Sequence, residues 1–228
     1  VTGIHQAIAG GRVLSTPGIV NITTASSAGA DGYSIPMPSG VAAGRDLFII
    51  VGYTVFGFSA GIPTNPTGMG GVNRSIGVGS QNVSLFFSGK TLTGSESGNI
   101  TGDLPGSVLA YAAVAFIVEN AVINTAFVTP GASTASTNTV TANAISPSWG
   151  LDATTLFITA AGRSGSSNAV SSYPANYTLA QGDISSGGNI RLSYAIRRAR
   201  VTTETIGAWT FAGNDDRLLA VSAYYRGT

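Results

Sequence analysis

A 228-residue chain with 43% hydrophobic residues is long enough to bury a core of its own. Only 9% of its residues are charged, and the formal net charge is +1. This excludes charge-driven disorder and any global field that would gather nucleic acid or acidic membranes. The lack of cysteine excludes disulfides and thiolate metal sites.

The charge deficit has two readings, and both stay open. Much of the surface faces other protein subunits, or the chain is secreted and coated with Ser, Thr and Asn. Val1-Thr-Gly-Ile-His5 lacks the basic-then-apolar order of a signal peptide, although a segment cleaved upstream remains open. The longest apolar run, Val108–Val118, falls short of the roughly 18 residues of a membrane helix, so no membrane insertion is expected.

In chain order, residues 1–18 read as an N-terminal arm and 19–228 as a β-sandwich. Ile4–Leu14 is the best helix candidate, but Gly10-Gly11 interrupts it. Strands are expected at Ile19–Thr24, Tyr33–Met37 and Leu47–Tyr53. The last of these is apolar on both faces and so reads as a central strand. Val83, Leu85 and Phe87 alternate with Ser84, Phe86 and Ser88, which predicts a core face and an outer face. Asn99–Thr101 and a long strand ending at Phe116 follow. Beyond a Ser/Thr/Gly/Ala loop at 129–138, strands are expected at Thr137–Ile145 and Leu156–Ala161. Ile190, Leu192, Tyr194 and Ile196 then alternate with Arg191, Ser193, Ala195 and Arg197. Ala208–Phe211 and a strand ending at Tyr225 complete the chain.

These strands repeat. Asp46-Leu-Phe-Ile-Ile-Val51 matches Thr155-Leu-Phe-Ile-Thr-Ala160 at an offset of 109. Pro66-Thr-Gly-Met69 matches Pro174-Ala-Asn-Tyr177, Asn82–Phe87 matches Asn189–Tyr194, Glu96 matches Glu204, and Ser107–Phe116 matches Asp216–Tyr225. Five blocks in order predict two copies, at approximately 33–120 and 142–228. One copy cannot easily cover its own apolar face. The expected fold is therefore a single all-β, jelly-roll-like sandwich built from two pseudo-symmetric repeats, with two small β domains as the alternative.

Motifs for catalysis are weak. Gly57-Phe-Ser59-Ala-Gly61 fits the G-x-S-x-G nucleophile elbow, but Pro63 and Pro66 forbid the helix it requires. The single histidine, His5, precedes Ser59 and has no orienting partner. Gly89-Lys-Thr91 ends a strand, whereas a phosphate-binding loop opens a helix. Asp215-Asp216 reads as a turn rather than a cation site. Glu96 and Glu204 read as partners of basic residues. Arg191, Arg197, Arg198 and Arg200 form a basic cluster, taken as a strand face balanced by Glu204 or a partner subunit rather than as an RNA site. Sequons at Asn21, Asn73, Asn82, Asn99 and Asn176 are near chance in so polar a chain. The expectation is a non-enzymatic protein without a cofactor or metal.

The strand Asp46–Val51, the loops Pro66–Met69 and Pro174–Tyr177, the stretch Leu85–Lys90 with Gly94-Ser-Glu-Ser-Gly98, and the ending Trp209–Val221 together resemble β-sandwich proteins of tailed bacteriophages and prophages. The likeness covers most of residues 33–228. Gly3-Ile-His-Gln-Ala7 is similar to the arms that join such proteins to a virion. The resemblance implies a virion component: a capsid decoration, head spike or tail-associated protein. Its partners would be major capsid or tail proteins and copies of itself, and Ile4, His5 and Gln6 are the candidate anchor. A carbohydrate-binding adhesin that contacts a host surface glycan is the alternative. Trp149, Tyr173, Asn176 and Tyr177 would then supply aromatic faces and amide hydrogen bonds, against a plainer role in core and turns.

Overall fold

The computed structural model describes residues 15–29, 31–56, 61–78, 81–106, 108–122, 131–133, 136–164, 168–187, 189–215 and 217–228. Among these residues, sixteen strands follow one another in the order β1 (Gly18–Ala28), β2 (Gly32–Pro36), β3 (Asp46–Phe56), β4 (Gly70–Val78), β5 (Gln81–Thr91), β6 (Asn99–Asp103), β7 (Val108–Glu119), β8 (Ala121–Val122), β9 (Gly131–Ser133), β10 (Thr137–Thr141), β11 (Thr155–Ser164), β12 (Val170–Ser172), β13 (Ala180–Ser186), β14 (Ile190–Ala199), β15 (Ala208–Asp215) and β16 (Leu218–Gly227). Among the described residues no helix is long and apolar enough to cross a membrane. The arm's Ile4, His5 and Gln6 and the Ile4–Leu14 helix candidate lie outside the described residues.

Two main sheets face each other. One runs β1-β7-β3-β5-β4, and the other runs β13-β14-β11-β16-β8 with β9 also on β16. Their pairings are antiparallel. Each main sheet carries a smaller outer sheet, β2-β6 on the first and β10-β15-β12 on the second. The result is four layers and three apolar interiors. The central interior joins Phe48, Ile50, Leu85 and Phe116 from the first half to Leu156, Leu192, Val221 and Tyr225 from the second. The halves therefore share one core. Because each main sheet comes mostly from one half, the connectivity departs from a jelly roll, whose two sheets exchange strands.

Alternation along the strands explains the layering. In β3, Phe48 and Ile50 enter the central interior, while Leu47, Ile49, Val51, Tyr53 and Val55 enter the first outer one. In β11, Leu156, Ile158 and Ala160 face the centre, and Phe157 and Ala161 the second outer interior. Period two sends adjacent residues to opposite faces, and here both faces are covered.

That double cover corrects the single-faced reading of β5 and β14. Ser84, Phe86, Ser88, Ser193 and Ala195, expected outside, are buried, and Arg191 and Arg197 are half-buried. The outer sheets pack over them. Ser88 is accommodated because its hydroxyl donates to the Gly70 carbonyl at 2.9 Å. The expected strand Thr137–Ile145 also divides: β10 ends at Thr141, and Ile145 makes an isolated bridge to Glu204.

The repeat matches differ in phase. Val83, Leu85 and Phe87 share the central interior with Ile190, Leu192 and Tyr194. The match of Leu47-Phe48 with Leu156-Phe157 does not keep faces, since Leu47 points outward and Leu156 inward. A one-residue slip exchanges the two faces of a strand. The registers give the correspondence instead: Leu47 sits opposite Lys90, and Phe157 sits opposite Arg197.

Candidate functional site

The site is built where the first outer sheet meets β3 and β5. Lys90, near the end of β5, is half-buried beside Leu47. The loop that follows returns Glu96, whose Oε1 lies 3.1 Å from Lys90 Nζ. Glu96 also accepts the Thr93 N–H at 3.0 and 3.1 Å and the Gly94 N–H at 3.0 Å. The Thr93 N–H foremost, then Glu96's own N–H, Lys90 and Gly94, outweigh partial burial and bring this carboxyl down to about 2. Such a group stays charged at neutral pH. It is a poor general base there and a good hydrogen-bond acceptor.

A cavity of about 220 Å³ opens beside this ion pair. Leu47, Pro66, Met69 and Ile100 form its buried floor, and Thr67, Ser97, Asn99 and Thr101 its exposed rim. Met37 and Lys90 complete the wall. Met69 is aimed inward by a tight turn in which its N–H donates to the Pro66 carbonyl at 3.0 Å. Gly68 stands third in that turn at φ +74°, a conformation glycine adopts without strain.

The second half builds the same frame and fills it. The Tyr177 N–H donates to the Pro174 carbonyl at 3.2 Å, with Asn176 at φ +68° in the place of Gly68. Arg197 pairs with Glu204 at 2.7 Å, as Lys90 pairs with Glu96. Ile145, Phe157 and Tyr177 are packed together in the second outer interior. Tyr177 is wholly buried. Burial first, then the neighbouring Glu204 carboxylate, raises its hydroxyl pKa.

The four candidate glycan contacts lie in this second half, and none lines the cavity. Tyr177 is corrected outright, because a side chain with no exposed surface cannot meet a sugar. Asn176 is exposed and serves the turn through its left-handed backbone. Trp149 is half-buried. Its indole N–H donates to Thr155 Oγ1 at 2.8 Å, and its ring packs 5.4 Å from Tyr224. Tyr173, also half-buried, packs 5.6 Å from Trp209. The structure brings Tyr173, Tyr177 and Trp149 to one apolar interior rather than to one open face.

The basic cluster is divided among separate partners. Arg191 pairs with Asp183, Arg197 with Glu204, and Arg200 Nε donates to the Leu151 carbonyl at 2.5 Å; Arg198 is exposed. Arg163, buried and not singled out in the sequence, donates to Asp215 Oδ2 at 3.3 Å and to the Asn214 carbonyl at 3.0 Å, with its guanidinium 5.4 Å from the Phe211 ring centre. Asp215 also accepts the Arg217 N–H, which makes it a turn residue; Asp216 lies outside the described residues. So does Ser59. β3 precedes it, and residues 61–66 are irregular. Among the described residues no group of three or more His, Cys, Asp or Glu side chains is placed to hold a metal ion.

Sequence reasoning missed the cavity. Its signal was the exchange of Tyr177 for Met69 at the end of otherwise equivalent turns. Comparisons of the chain with models of known protein families, with curated proteins and with solved structures give no match.

Proposed function

We propose that this chain is a non-enzymatic structural component of a tailed-phage virion. It would act as a capsid decoration, head spike or tail-associated protein, through contacts with other virion proteins and with copies of itself. One observation supports this reading beyond the sequence resemblance. At least six of the eleven basic residues and five of the ten acidic ones are committed to intramolecular ion pairs. A chain already poor in charge thus turns about half of it inward on itself. Phe56, Ile62, Leu151 and Leu179 add exposed apolar side chains. Depletion of charge marks the centres of protein–protein interfaces.

The test is assembly. A chain lacking residues 1–14, a deletion that leaves β1 and the Ser15–Thr228 hydrogen bond in place, is expected to keep the circular dichroism and thermal unfolding of the full chain and to be lost from purified particles. Incorporation at the full-length level would overturn the anchoring role of the arm and, with it, this reading.

A further inference from the structure

We infer that the cavity beside Lys90 and Glu96 is a binding site for a phenolic ring, with the ring against Met37, Leu47 and Met69 and the hydroxyl directed to the Glu96 carboxylate. The observation that carries it is internal to the molecule. Both halves present the same frame: a Pro-x-Gly/Asn-x turn, a basic residue near the end of the strand beside β3 or β11, and a glutamate from the following loop. In the second half, the frame is occupied by the phenol ring of the chain's own Tyr177. In the first half, Met69 takes the place of Tyr177, and Leu47 takes that of Phe157. Two aromatic rings are replaced by slimmer aliphatic side chains, and about 220 Å³ is left open.

The size and chemistry agree. An apolar cavity of about 150 Å³ is enough to bind benzene, so this one has room for a single six-membered ring bearing a hydroxyl. Its floor is apolar. Methionine sulfurs make favourable contacts with aromatic rings. Glu96 remains an anion throughout the ordinary pH range and supplies an acceptor that a hydroxyl can reach from the ring plane. The inference does not rest on the virion reading, because the cavity is a property of the chain alone. The ring would come from a free phenol or from a tyrosine side chain of a partner.

Met37 and Met69 are the chain's two methionines, and both line the cavity. A methyl-labelled methionine NMR spectrum of the full chain therefore holds two signals, each reporting on this site. Titration with p-cresol is expected to move both saturably, with affinity at least tenfold above that for toluene. Two unmoved signals, or equal affinity for toluene, would overturn the inference. Met69→Tyr should fill the cavity as Tyr177 does. The Met37 signal should then lose its response to p-cresol by at least tenfold; an undiminished response in the folded variant would also overturn the site. Should that variant fail to fold, the wild-type titration against toluene still decides. N-acetyl-tyrosinamide separates the sources. Affinity within tenfold of p-cresol supports a tyrosine borne by a protein, and binding of p-cresol alone supports a free phenol.

Discussion

Arg197 donates from one guanidinium nitrogen to both carboxylate oxygens of Glu204, at 2.7 and 3.0 Å, and the two partners are buried unequally. Glu204 is 2% exposed and Arg197 25% exposed. The backbone of Glu204 also bridges to Ile145. The pair thus joins β14 to the loop that leads into the outer sheet, with its anion inside and its cation near water.

This asymmetry predicts unequal mutants. Arg197→Ala strands a buried carboxylate and should cost about 3–5 kcal/mol. Glu204→Gln leaves a cation that can turn to solvent and should cost clearly less. Urea unfolding of the two variants at neutral pH is the measurement, and equal losses would contradict the arrangement.

Asp46 predicts a pH dependence of the unusual sign. It is 2% exposed at the start of β3. Burial raises its carboxyl to about 6, only partly opposed by the 2.8 Å hydrogen bond from Thr91. The folded pKa lies above the unfolded one, so ionisation weakens the fold as pH rises through 6. Protonation restores stability as pH falls from about 7 toward 4. The shift corresponds to about 3 kcal/mol between those limits. Asp46→Asn should raise the unfolding temperature at pH 8 and have little effect at pH 4.

Glu96 works in the opposite sense. Its folded pKa is depressed to about 2, so its contribution is complete above the ordinary carboxylate range and fades as pH falls from about 4.5 to 2. Glu96→Gln should therefore lower the unfolding temperature at pH 7 and leave it unchanged at pH 2. A profile combining both groups has its maximum where the two windows meet, near pH 4.

The two main sheets approach closely at two glycines. A β-carbon on Gly162 would stand 2.9 Å from Leu85 Cδ2 and 3.2 Å from Val83 Cγ1, across from the opposite sheet. One on Gly52 would stand 3.4 Å from Leu192 Cβ. Gly162→Ala should cost about 1–3 kcal/mol by overpacking, and Gly52→Ala less. Denaturant midpoints of the two variants test this ordering.

Tyr177 and Asn176 separate a core role from a surface role. Tyr177→Ala should cost about 3–5 kcal/mol, as for other large buried aromatics. Asn176→Gly, one residue earlier, should be neutral within a few tenths of a kcal/mol, because glycine also accepts the left-handed turn position. Thermal unfolding of both variants checks the pair.

How far the chain could be read in advance follows from these residues. The all-β class and most of the long strands were legible, because Val, Ile, Phe and Tyr alternate or run continuously between Gly, Ser and Asn turns; β4 and β13, rich in Gly, Ser and Asn or Asp, were not expected. β3 was recognisable as covered on both sides, since both of its faces are apolar. β5 and β14 were not, because serines and arginines look like an outer face until a second layer pairs or caps them. The matched turns Pro66–Met69 and Pro174–Tyr177 were visible as a pattern. Which of them enclosed a tyrosine and which an open cavity was not.

The sequence by itself determined the all-β class, most of the strand content and the two matched turns, because these depend on local pattern and backbone chemistry. Only the tertiary structure decided which faces are buried, which cation meets which anion, and where space remains. Those depend on the layer that lies above each strand and on a register that one residue can reverse. Lys90 with Glu96 and Arg197 with Glu204 are alike as sequence. The fold makes one pair the wall of a cavity and the other the bed of a buried ring.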